Sequence, residues 1–308
     1  MLKDSQLDLC GRVDFARTTP LLARDEAFSF ACAGCGGCCR GREDIVLSGF
    51  DLWRIAARLR LPPQTVARAF CRASIGQVSH LPVLRLAPVK EERNNCPFLT
   101  ENHCAIHDAE PLVCALYPLA QEISREGEVS YFLQPTDCGG RVIEAKVEDY
   151  LARYDVPARE KTDVRWAQTC MDLEDVVEPL DAALEPPLRR RMQAKLWQAL
   201  YFKFDYEKEY LPQLEENLVW LGAELQKLTD YQQRRNTRRQ RQMCIRDRDA
   251  GEALAGPLFP VRLRAGLPAA AGSKPRLAGG SAAKTDGVSA EKKCPSKKVM
   301  DRCTLIDN

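Results

Sequence analysis

Four cysteines fall within eight residues of this chain: Phe30-Ala31-Cys32-Ala33-Gly34-Cys35-Gly36-Gly37-Cys38-Cys39. Four more follow at Cys96, Cys104, Cys114 and Cys138. A soft metal ion needs several sulfurs converging on one point, and two-residue spacers let a loop turn its thiolates inward. Gly34, Gly36 and Gly37 give that loop backbone freedom, including positive φ. A chain built this way is expected to fold around a thiol-lined centre.

The compartment decides how such thiols are read. The 308 residues are 45% hydrophobic and 29% charged, with a formal net charge of +2, as expected of an ordinary soluble globular protein. This charge balance gives no reason to expect a nucleic-acid partner. No stretch reaches the roughly 18 uninterrupted apolar residues of a membrane helix, so no membrane partner is expected. Residues Met1 to Phe15 lack the apolar core of a secretory signal. A cytoplasmic location is therefore expected, where clustered Cys points to metal or redox chemistry instead of disulfides.

The composition changes late in the chain. Gln242-Met243-Cys244-Ile245-Arg246-Asp247-Arg248 is what the end sequence of a sequencing-library transposon encodes in one reading frame. The segment 242–248 reads as an assembly scar, and a disordered or artefactual tail is expected after it. Three regions follow: 1–140 as a cysteine-cluster metal-binding domain, 141–233 as a helical extension packed on it, and 234–308 as basic run, scar and tail. Of fourteen cysteines, Cys244, Cys294 and Cys303 then leave the inventory. Cys10, Cys71 and Cys170 read as small buried hydrophobes.

Ile45-Val46-Leu47 is a short strand candidate, and Ser48 can cap a helix running to about Leu61. Pro62-Pro63 ends it and opens a second helix through Phe70. Leu81 to Val89 and Val129 to Leu133 read as extended. After Arg141 the character is helical: a helix before Pro157, another over Leu188 to Phe204, and a long one from about Glu207 to Leu228. Its Leu211, Leu214, Leu218, Leu221, Leu225 and Leu228 make a strict seam. The Arg234-Arg235 and Arg238-Arg239 run is expected to be solvated. The fold class expected is α+β: a small, irregular Cys-rich module with short strands, followed by a helical region.

Cys32-x2-Cys35-x2-Cys38 has the triplet spacing with which bacterial ferredoxins hold three irons of a cubane. The Cys-Pro that normally follows is missing locally, and Cys96-Pro97 supplies it far downstream. Adjacent Cys38 and Cys39 tend to point different ways, so two four-sulfur sites are open, zinc or iron–sulfur in either combination. The triplet on one loop favours an iron–sulfur cluster, with zinc as the alternative. His103 and His107 flank Cys104 as ligands or as donors to ligands.

The later thiols lie in Cys96-Pro97-Phe98-Leu99, Cys104-Ala105-Ile106-His107 and Glu110-Pro111-Leu112-Val113-Cys114-Ala115-Leu116-Tyr117-Pro118. With the first group, this set resembles the YkgJ-type cysteine-cluster family, a zinc- or iron-chelating domain, over about residues 28 to 140. The resemblance implies metal ligation by Cys32, Cys35, Cys38, Cys39, Cys96, Cys104 and Cys114, with Cys138 also assigned. Glu110 and Ala115 depart from the pattern, standing where members often carry Arg. The family is also similar to flagellin lysine N-methylases, which opens a cluster-dependent methyl transfer to a lysine; a structural zinc domain presenting a protein-interaction surface is a third reading. No Gly-rich loop follows a strand as in an ordinary Rossmann methyltransferase. No catalytic residue is identified.

Overall fold

In the computed structural model, residues 20–32, 34–43, 45–90, 94–134, 145–246 and 302–304 are described. All of them lie in the first of two compact units, which takes in residues 1–254 and 302–308; the second, 255–301, lies outside the described residues. Cys10, Cys138 and nearly all of the expected tail lie outside them too, as does the start of the helix expected from Val142.

The fold is α+β, with small sheets in the N-terminal part and helices after it. The first sheet is entirely antiparallel: β2 (Val46–Leu47), β4 (Pro82–Leu86) and β3 (Cys71–Ile75), in that spatial order. Between β2 and β3 run α1 (Gly49–Leu59) and α2 (Pro63–Phe70). The sequence signals account for both helices. Ser48 caps α1 through a reciprocal box with Asp51, each side chain bonding the other's backbone amide. Pro62 precedes α2 and Pro63 occupies its first turn, where a missing N–H costs nothing.

A second sheet has the order β1 (Leu21–Leu22), β8 (Val129–Leu133), β7 (Leu119–Ser124) and β9 (Arg302–Thr304). Between the sheets the chain forms the hairpin of β5 (Leu99–Thr100) and β6 (His103–Cys104), then the single-turn α3 (Leu112–Leu116).

Four helices complete the unit: α4 (Val147–Arg153), α5 (Val156–Ala183), α6 (Pro186–Trp197) and α7 (Tyr210–Arg246). A π turn at Gln198–Phe202 follows α6. The helix expected before Pro157 is α4, and Pro157 itself lies in the first turn of α5, a 28-residue helix that the sequence did not reveal. α7 starts near the expected point but continues unbroken through Arg246.

The Leu seam of α7 faces inward. Leu214, Leu221, Leu225 and Leu228 join one core with Leu47, Leu52, Ile55 and Leu84 of the first sheet and its helices, and with Trp166, Met192 and Leu196. One apolar cluster thus crosses residue 140, and burial of that shared face holds the helices on the Cys-rich module. Arg235 and Arg239 both pair with Glu185, at 2.6 and 2.8 Å, so that part of the basic run is engaged at the N-terminal cap of α6.

Candidate metal centre

The first cysteine loop is shaped by its glycines and pinned by an arginine. Gly34 and Gly36 take φ of +65° and +67°. At Gly36 a Cβ would also press on the Arg40 guanidinium and the Leu99 side chain, each at 3.2 Å, so both backbone and space demand glycine there. Two sulfurs accept amides two residues on, Gly34 N–H to Cys32 Sγ and Gly37 N–H to Cys35 Sγ, both at 3.4 Å. The loop then tightens into a 3₁₀ turn over Gly37–Cys39. Arg40 donates to the Cys35 carbonyl at 2.7 Å and to the Asn102 side chain, tying the loop to the β5–β6 hairpin.

A backbone bond completes the junction: the Cys96 amide donates to the Cys39 carbonyl at 2.7 Å. Cys104 follows in β6, opposite Leu99. Cys114 lies in α3, its amide bonded to the Pro111 carbonyl at 2.9 Å. Sγ of Cys38 and Sγ of Cys39 are 3.9 Å apart.

Cys38, Cys39, Cys96, Cys104 and Cys114 therefore form one neighbourhood in which each thiol's ionisation is felt by others. The contact with Cys39 draws the Cys38 thiol down to about 6. The same contact, together with burial, raises Cys39. Burial also raises Cys96 and Cys114, and pushes Cys104 to about 11. Cys32 and Cys35 are exposed. Burial and the nearby Cys32 raise the Tyr154 phenol.

Among the described residues no three His, Cys, Asp or Glu side chains already converge as an ion site. The donor chemistry nevertheless fits zinc or iron. Cys38, Cys39, Cys96, Cys104 and Cys114 are free and half-buried, and a soft cation displaces the thiol proton to bind the thiolate. His103 is exposed, and the His107 ring, 66% exposed, meets Glu110 at 3.2 Å. Their geometry is that of surface groups. Cys71 and Cys170 pack against the main core, and burial raises Cys71 to about 12.

Sequence reasoning missed the polar frame behind the thiols. Asp51 accepts from the Ser48 amide and hydroxyl through one oxygen, both at 2.9 Å. Its other oxygen accepts from the Leu112 amide at 3.0 Å and from Arg159 Nη2 at 2.6 Å. Arg159 also grips Asp163 with two bonds, at 2.7 and 2.9 Å, and its guanidinium lies 5.4 Å from the Phe50 ring centre. Arg54 donates to the Asp108 and Glu110 carbonyls at 2.9 and 3.3 Å. The Ser48-x-x-Asp51 pattern signals the helix cap, but nothing in it signals a partner 108 residues away.

Two comparisons found nothing: no curated protein and no solved structure matches this chain significantly. The scan of family models matched residues 31–139 to the CxxCxxCC family, described as a "putative zinc- or iron-chelating domain". That span contains all eight cysteines of the cluster and leaves α4 to α7 outside it. No helix among the described residues is long and apolar enough to cross a membrane. Residues 31–139 of this chain carry the CxxCxxCC domain.

Proposed function

We propose that this chain is a metal-holding protein whose centre is built on Cys38, Cys39, Cys96, Cys104 and Cys114. The ligand spacing favours iron–sulfur, with zinc as the alternative. Cys32 and Cys35 can join from the glycine loop, and Cys138 belongs to the same proposal. The observation that carries this reading is the approach of sequence-remote cysteines, stitched where the Cys96 amide meets the Cys39 carbonyl. An iron–sulfur group would supply one-electron transfer, whereas zinc would supply cross-linking alone. The protein's own part is to desolvate the thiols and fix their backbones, and a reducing compartment such as the cytoplasm suits thiols of this kind. A redox or binding partner would be a protein. Neither lysine methylation nor a bare interaction surface is favoured by a specific observation.

Anaerobic purification of the full chain with metal and sulfide analysis tests this. A brown protein with iron and acid-labile sulfide supports the cluster. A colourless protein with stoichiometric zinc replaces it with the zinc centre, and a protein that takes up neither metal overturns the reading.

A further inference from the structure

Arg159 sits on α5, outside the matched domain, yet it reaches the segment that carries Cys114. Its side chain is buried with Asp51 and Asp163, the three residues being 5%, 2% and 2% exposed. A buried ion network of this kind seldom stabilises a fold more than apolar packing would, because desolvation offsets the attraction. Its value then lies in geometry, and the contacts show which geometry. One oxygen of Asp51 is shared by Arg159 Nη2 and by the amide of Leu112, the first residue of α3, two residues before Cys114. Arg159 Nη1 also points to the Glu110 carbonyl, at 3.5 Å, which Arg54 contacts from α1. From α1 and α5 together, the backbone at 108, 110 and 112 is thus held at successive points.

We propose that Arg159 is a positioning residue of the metal centre: by fixing the Asp51 carboxylate at the start of α3, it sets where the Cys114 sulfur lies among its companions. This deepens, and rests on, the metal-holding reading above. It gives the helical part of the chain a role in the site beyond covering the core. A sulfur displaced by a fraction of an ångström weakens a thiolate site, because residues that orient the ligands commonly govern affinity by 10- to 100-fold.

The test is anaerobic titration of cobalt(II), a spectroscopic stand-in for zinc, into the full metal-free chain, with affinity read by chelator competition and thiolate coordination by the charge-transfer band. Arg159→Met is expected to weaken cobalt binding about tenfold or more and to shift or diminish that band. Arg159→Lys, which keeps the charge but loses the fork, should fall in between, and it carries the test if the Met variant does not fold. Leu225→Ala, a core truncation on α7, controls for stability alone and should lower the melting temperature while keeping the wild-type band. The positioning role is overturned if the Arg159 variants bind with wild-type affinity and spectrum. It is overturned equally if their loss only follows melting temperature as Leu225→Ala does. A wild-type chain that binds no cobalt, zinc or iron removes the metal-holding reading itself, and this role with it.

Discussion

Gly49 opens α1 with no room for a side chain: a Cβ there would stand 2.2 Å from the Leu200 carbonyl oxygen and 2.6 Å from the Trp166 ring. Backbone cannot retreat cheaply from such a contact. Gly49→Ala is therefore expected to cost about 1–3 kcal/mol or more in denaturant unfolding. Asp163 offers a second test. Burial pushes its carboxyl up to about 6, against the pull of Arg159. Folding thus raises its proton affinity, so its contribution to stability is present at low pH and is lost as the pH rises from about 4 to about 6. Thermal melts at pH 5 and pH 7 should show acidification favouring wild type relative to Asp163→Asn; a difference independent of pH would refute the shift. At this scale the local signals were legible. Ser48 declared a cap and the glycines a loop, because both act within three residues. Arg159 was silent, because its partners are brought to it only by tertiary folding.

Elements were legible in proportion to how one-sided their burial is. α7 announces itself through a Leu seam facing a single core, and α1 and α2 through a cap and a proline pair. α5 does not, because Arg159, Asp163, Thr169, Trp166 and Leu173 are all buried and its polar and apolar positions no longer fall on separate faces. Pro157 follows the expected helix, α4, and opens α5 from its first turn, where a missing N–H costs nothing. The seam itself can be graded. Leu221, fully buried, should lose about 2–5 kcal/mol on truncation to Ala, whereas half-buried Leu218 should lose clearly less. Equal losses in urea melts would mean that α7 is not seated as described.

For the whole molecule, ligation and folding should be a single equilibrium. The candidate ligands come from the first loop, the segment at Cys96, β6 and α3, so an ion binding them would cross-link segments that only the folded chain assembles. Stripping the metal with a chelator under reducing conditions is expected to lower the melting temperature in proportion to RT ln(1 + [metal]/Kd), and restoring zinc or iron should reverse it. An unchanged melt after complete removal would place the metal off the fold. The cysteine motifs made this centre legible as chemistry from the start. Which cysteines lie near one another was not legible, since spacing along a chain says nothing of how Cys32 and Cys35 stay exposed while the Cys39 carbonyl meets the Cys96 amide.

The bond between Asp51 and Arg159 also carries a consequence for biosynthesis. On the ribosome, every described cysteine of the 31–139 span emerges before the arginine that steadies α3 does. A nascent polypeptide halted short of α5 would display its sulfhydryls without the brace, leaving them open to air and to the wrong ion. If Arg159 positions Cys114 as proposed, a chain that ends before α5 should hold metal less tightly than the full chain.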